Sequence, residues 1–288
     1  MALNAPLRRR AAARTVALDR SLERLPVFRL SDAADDGPLS YTTEAGGRWR
    51  VLPGPGDRLP GTFDQDVYVE LMRRYQDAGQ PADGAMRFTL HAFLRGMGRR
   101  VDGRTYEQLR AALGRLERTS FESSGAYVDA AGTPVDGSFS ILSSLVIERR
   151  WRGYEREQLA LFDSVIAAEP GDARVVLSPL VRQSLAARQT VSISLDRYMA
   201  MPSPVARRLY RLIEVARSDG CVTWRVALNE LRQRLPLSQK YPSHLVRVLA
   251  PAHEMLVQGG VLREAAMRQE QREWFIDYVL ELSRGRST

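Results

Sequence analysis

Cysteine is nearly absent: Cys221 stands alone in 288 residues, so neither an internal disulfide nor a multi-cysteine zinc site can form. Lysine is as rare. Of 42 basic residues only Lys240 is a lysine, and it follows Gln239, which removes a phosphate loop ending in Gly-Lys-Ser/Thr. The three histidines, His91, His244 and His253, never fall as His-x-His, which argues against a metal-dependent nicking nuclease. No stretch is apolar for long enough to span a bilayer. The basic start (Arg8, Arg9, Arg10, Arg14) meets Asp19 and Arg20 before a signal-peptide core can form. These absences predict a soluble protein of a reducing cytoplasm, with no metal, no cofactor and no membrane partner.

What is present is ordinary globular material, 44% hydrophobic and 8% aromatic, in a chain long enough for two compact domains. A net charge of +8 favours a polyanionic partner, because cationic surfaces gain affinity by releasing the counterions condensed on phosphates.

Residues 1–25 are rich in arginine and alanine and read as a basic, mobile arm. Turn residues around Arg48-Trp49-Arg50-Val51-Leu52 predict a hairpin leading into a first domain, 26–160. Thr62, with Gln65 three residues on, is read as a helix cap ahead of Val67, Leu71, Met72 and Tyr75. Met86-Arg87-Phe88 is a short extended piece, and Thr89 caps a second helix. A third helix spans about 104–118, with Tyr106, Leu109, Leu113 and Leu116 as its apolar stripe. The period then changes to two, so 121–128 and 139–147 read as a long hairpin. Residues from 161 to 194 are read as the junction opening a second domain, 161–288.

The same order then repeats. Ser203 and Pro204 open a helix that Asp219-Gly220 closes. Val222-Thr223-Trp224 stands where Met86-Arg87-Phe88 stood. A second helix ends before Pro236, and a third, from Ser243, carries Leu245, Leu249, Ala252 and Leu256. A hairpin from Val261 to Leu280 completes the order. Helix, strand, helix, helix and hairpin is the order of a winged helix, so the predicted class is α+β with two tandem winged-helix domains.

In that fold the third helix enters the major groove, with its outer face offering donors to bases and phosphates. The candidates are Arg104, Thr105, Gln108, Arg115 and Arg118 on the first such helix. On or just before the second they are Lys240, Ser243, His244 and Arg247. Wing arginines Arg149, Arg150, Arg152, Arg268 and Arg272 are placed to reach the backbone or the minor groove. No catalytic residue is assigned. Any one of these arginines could equally be a solvated or salt-bridged surface residue, and winged helices also dock proteins, so the repeat carries more weight than its parts.

Several strings add a resemblance. They are Leu59-Pro60-Gly61-Thr62-Phe63-Asp64-Gln65-Asp66-Val67, Arg87-Phe88-Thr89-Leu90 and Gly103-Arg104-Thr105-Tyr106-Glu107-Gln108-Leu109. In the second half they are Leu235-Pro236-Leu237-Ser238, Tyr241-Pro242-Ser243-His244-Leu245 and Ala252-His253-Glu254-Met255-Leu256. Over about residues 25–280 the chain resembles the replication initiator protein A family of bacterial plasmids and secondary replicons. That resemblance implies binding to double-stranded origin repeats, recruitment of host replication proteins such as the helicase or its loader, and autorepression, with a homodimer in the latter role. It also implies residence at a plasmid or nucleoid. Two other functions stay open. A winged-helix transcriptional repressor would share the fold. A tyrosine recombinase would use His244 and Arg247, spaced as His-x-x-Arg, with Tyr278 as nucleophile and Arg207 or Arg208 upstream. Against it, Trp274 to Tyr278 reads as a strand that buries the tyrosine, and Glu270 stands where a second histidine or tryptophan would be needed.

Overall fold

The computed structural model describes residues 14–30, 37–148, 172–239 and 241–281. The chain opens with β1 (Thr15–Asp19), α1 (Arg20–Arg24), β2 (Leu39–Thr42) and β3 (Arg48–Leu52). Then come α2 (Thr62–Asp77), β4 (Ala85–Thr89), α3 (Leu90–Gly96), α4 (Gly103–Arg118), β5 (Ser120–Val128), β6 (Pro134–Phe139), β7 (Leu142–Ile147) and β8 (Asp172–Leu177). The connecting α5 (Pro179–Ala186), β9 (Thr190–Ser194) and α6 (Leu195–Ala200) lead to α7 (Pro204–Ser218). The second half continues through β10 (Thr223–Ala227), α8 (Leu228–Arg234), α9 (Pro242–Gln258), β11 (Leu262–Glu270) and β12 (Glu273–Leu280).

Two three-stranded sheets share one topology, β4-β8-β7 and β10-β12-β11. In each, the strand ahead of the second helix pairs with the far strand of the wing, which pairs with its own hairpin partner. This is the structural counterpart of the sequence repeat, and it makes the fold a tandem winged helix. Local caps explain the helix starts. Thr89 accepts a hydrogen bond from the Ala92 N–H (3.0 Å) at α3, and Ser203 from the Ala206 N–H (3.3 Å) at α7, where Pro204 takes the first helical position. At α4 the carboxylate of Asp102 accepts from the Thr105 N–H at 2.9 Å.

Four expectations need correction. First, Gly61, not Thr62, caps α2, and the Asp64 carboxylate accepts the Gly61 N–H at 2.6 Å; Gln65 is buried instead, where Arg211 donates to its side-chain oxygen. Second, residues 14–25 are not a mobile arm. Val16, Leu18, Leu22 and Leu25 are buried, and β1 pairs antiparallel with β9, because alternating apolar side chains there complete a two-stranded ribbon. Arg8, Arg9 and Arg10 lie outside the described residues.

Third, the expected 121–147 hairpin is two structures. Strands β5 and β6 join β2 and β3 in a four-stranded sheet, whereas β7 leaves it to pair with β8. The break falls where Ile141 turns fully into the core, its carbonyl accepting the Ser178 N–H at 3.0 Å. Fourth, β8, expected in the junction, belongs to the first winged helix. Residues 149–171 connect β7 to β8 in the sequence, and Arg149, Arg150 and Arg152 among them fall outside the described residues, as does Lys240.

Buried charge joins the two halves. Glu23 of α1 accepts from Arg208 (2.9 Å) and Arg211 (2.8 Å) of α7, all three nearly inaccessible. Asp66 of α2 accepts from Arg207 (2.5 Å), from the Tyr198 hydroxyl (2.8 Å) and from Arg99 (2.7 Å). Ionised groups out of water persist only when partnered this way, so α1, α2 and α7 are held in one arrangement. Beside them, Asp19 accepts from the Tyr127 hydroxyl at 2.5 Å and from the Leu22 N–H at 3.0 Å. Burial pushes its carboxyl up to about 6 despite those two donors.

Candidate nucleic-acid interface

Along α4 the stripe Leu109, Leu113 and Leu116 is fully buried, with Ala112 beside it. Arg104, Gln108 and Ala111 are exposed on the other side, and the side chains of Arg104 and Gln108 have no hydrogen-bond or ion-pair partner among the described residues. The second half of the helix is different. Arg115, expected on the exposed face, is buried and donates to Asp64 at 2.8 Å and 3.1 Å. Arg118 is drawn to Asp57 at 2.6 Å, and lies back over Gly114. The cause is the 53–61 loop and the start of α2, which bring two carboxylates to that end of the helix. Thr105 is committed as well: its hydroxyl donates to the Arg100 carbonyl at 2.7 Å. What the first helix can present to a groove is its first two turns, Arg104 to Ala111.

On α9 the stripe Leu245, Leu249, Ala252 and Leu256 is buried as the spacing predicts. Tyr241 is the N-cap and Pro242 the first helical residue, one position ahead of the expected start. Ser243, His244 and Arg247 are exposed, and no described side chain hydrogen-bonds or pairs with Ser243 or Arg247. Tyr241, 69% exposed, meets His244 edge-on with ring centroids 5.8 Å apart. Helical periodicity does not flag this exposed ring, because it lies before the helix. The second wing turns at Gln271 and Arg272, both at positive φ (47° and 75°), so the Arg272 side chain extends from the tip. Arg268, by contrast, leans on Asp277 at 3.2 Å.

Tyr278 does not join His244 and Arg247. It is fully buried, stacks on Trp224 with centroids 5.3 Å apart, and shares a 2.9 Å hydrogen bond with His253. Burial raises the phenol far above its ordinary value and lowers His253 to about 4. A neutral, enclosed phenol on a neutral imidazole is a core contact. Arg207 and Arg208 are likewise held by Asp66 and Glu23, so the recombinase constellation is not assembled.

Two winged-helix halves, each with an uncommitted polar face at the start of its third helix, define a tandem winged-helix protein. Residues 18–256 match the family described as Replication initiator protein A, and the chain belongs to that family. No curated protein sequence matches it. Among solved structures it is similar to domains 2 and 3 of RctB, with TM-score 0.55 and 15% identity over 89% of this chain and 95% of that one. A second RctB domain 2–3 structure gives TM-score 0.52 and 13% identity over 91% and 96%. The Pi initiator protein, solved in complex with iteron DNA, gives TM-score 0.54 and 12% identity over 93% and 98%. At these identities the likeness shows the fold. Among the described residues no helix is long and apolar enough to cross a membrane.

Proposed function

We propose that this chain is a sequence-specific double-stranded DNA-binding initiator that recognises repeats in a plasmid or secondary-chromosome origin. The carrying observation is the repeated, exposed polar face: Arg104 and Gln108 on α4, and Ser243, His244 and Arg247 on α9. Arginine can read guanine with two donors, glutamine can do the same for adenine, and the opening turn of a helix adds free N–H groups for phosphate. Arg272 at the second wing tip, and Arg149 and Arg150 in the first wing, supply backbone contacts. Two fused reading heads let one chain span two successive major grooves, which suits a repeat-bearing origin. The Pi initiator's complex with iteron DNA supports the same reading. Autorepression as a homodimer, recruitment of the host helicase or its loader, and residence in the cytoplasm at the plasmid or nucleoid belong to this proposal.

The test is a fluorescence titration against fragments of the protein's own replicon at several salt concentrations, with random duplex as competitor. Tight binding confined to a repeat-bearing fragment is expected, with a log–log salt slope of about −0.9 per phosphate contacted. Equal, weak binding to every duplex would remove the sequence-specific claim. Specific binding at the promoter alone, with none at the origin, would favour the repressor.

A further inference from the structure

The outer faces of the two wing sheets carry the same arginine in opposite electrostatic settings. At the middle of β10, Arg225 stands directly across from Asp277 of β12. It pairs with Glu270 at 2.6 Å and approaches Asp277 at 3.8 Å, while Arg268 holds the other carboxylate oxygen at 3.2 Å. At the middle of β4, Arg87 occupies the corresponding place, and the residue across from it on β8 is Arg174. Both are exposed, and neither has an ion-pair partner among the described residues. The nearest carboxylates in register, Asp172 and Glu148, sit one alternate position further toward the wing end of the face. Directly opposed like charges destabilise an antiparallel pair, so the free sheet holds an arrangement that an anion would relieve. The row continues onto β7, where Val146 faces Arg174 and is 51% exposed; its counterpart beside Asp277 is Ala266.

We infer that the row Arg87, Arg174 and Val146 is a docking surface for an acidic, partly apolar segment of a partner protein. The side of the sheet argues against DNA. Met86, Phe88, Ala173 and Val175 point to the core, and Phe88 packs on Phe93 of α3 with centroids 4.8 Å apart. The arginines therefore point away from α3 and from α4, the helix offered to the groove. A second copy of this chain is disfavoured too, because a twofold contact through the row would bring two arginine pairs together. An acidic strand or loop with one aliphatic side chain satisfies both guanidinium groups and covers Val146. This surface goes beyond the proposed DNA reading and does not depend on which sequence that reading recognises.

The experiment uses the full chain and a short fluorescein-labelled peptide alternating aspartate with leucine, beside its asparagine–leucine counterpart. Wild type binds the acidic peptide at least about tenfold more tightly than the amide one, a margin within reach of one buried or half-buried charge pair. Arg174→Asp, which copies the Arg225–Asp277 pairing into the first half, loses that margin and has a urea midpoint no lower than that of wild type. Arg225→Ser changes nothing, and Arg87→Ser serves as the second variant if Arg174→Asp folds poorly. Equal peptide affinity in wild type and both first-half variants overturns the inference. So does an equal loss of random-duplex binding in Arg174→Asp, which would make the row a phosphate contact. Self-association of wild type that Arg174→Asp abolishes would assign the face to a second copy. Origin-fragment binding, measured alongside, is unchanged in Arg174→Asp, which separates failure of this surface from failure of the DNA proposal.

Discussion

The two winged helices have one topology and different freedom at their third helices. On α4, Asp64 holds Arg115 in the core and Asp57 pairs with Arg118, which stays half exposed. On α9 no described carboxylate takes Arg247, and exposure continues through Ala250 and Glu254. The difference comes from what surrounds each copy. The 53–61 loop ahead of α2 lies over the end of α4, whereas only residues 201–203 separate α6 from α7, the counterpart of α2. A duplicated fold thus need not duplicate the exposed face of its third helix, and the second copy has the longer one.

The largest expected effect lies between the halves. Glu23→Ala strands Arg208 and Arg211 without an anion in the core, and a loss of about 3–5 kcal/mol in urea unfolding is expected. Arg115→Ala leaves Asp64 buried and unpaired and belongs to the same class. An Arg115 variant with full stability but weakened specific binding would return that residue to the groove.

Next is a pH effect confined to the first half and its N-terminal ribbon. The folded Asp19 carboxyl is raised to about 6 from 3.8. The stability it contributes is therefore fully present below about pH 4 and is lost as pH rises through 6. The difference corresponds to about 3 kcal/mol. Asp19→Asn, which keeps the helix cap, should remove this dependence, read as the difference between the pH–stability curves of the two proteins. Parallel curves would mean that Asp19 is not held protonated.

Smaller still are the effects on DNA binding. Arg247→Ala should weaken the specific complex by about 1–3 kcal/mol and leave random duplex nearly unchanged. An equal loss on both duplexes would make Arg247 a phosphate contact. Arg268→Ala, whose charge already leans on Asp277 at 3.2 Å, should change affinity by less than about 1 kcal/mol; a larger loss in titration would show that the Asp277 contact opens on DNA.

Helical periodicity made much of this architecture legible. The α9 stripe of Leu245, Leu249, Ala252 and Leu256, the Ser203-Pro204 start of α7 and the Thr89 cap of α3 all follow from local chemistry that a few residues contain. What stayed hidden depends on partners far along the chain. Arg115 lies on the same helical line as Arg104 and Gln108, and only Asp64, brought in by α2, turns it into a core residue. Strand β8 reads like any short apolar run, and its pairing with β4 and β7 spans a long connection. Val16 and Leu18 needed β9 as a partner to become a strand. Among the interface candidates, exposure was legible where no distant carboxylate intervened, and the exposed ring of Tyr241 was not, because it precedes its helix.

The most direct test of the account is a hydroxyl-radical footprint of the full chain on a single origin repeat. Two protected patches on one face of the duplex, about one helical turn apart, are predicted, with Arg104→Ala weakening one and Arg247→Ala the other. A single patch, or two that neither substitution alters, would contradict reading by α4 and α9 together.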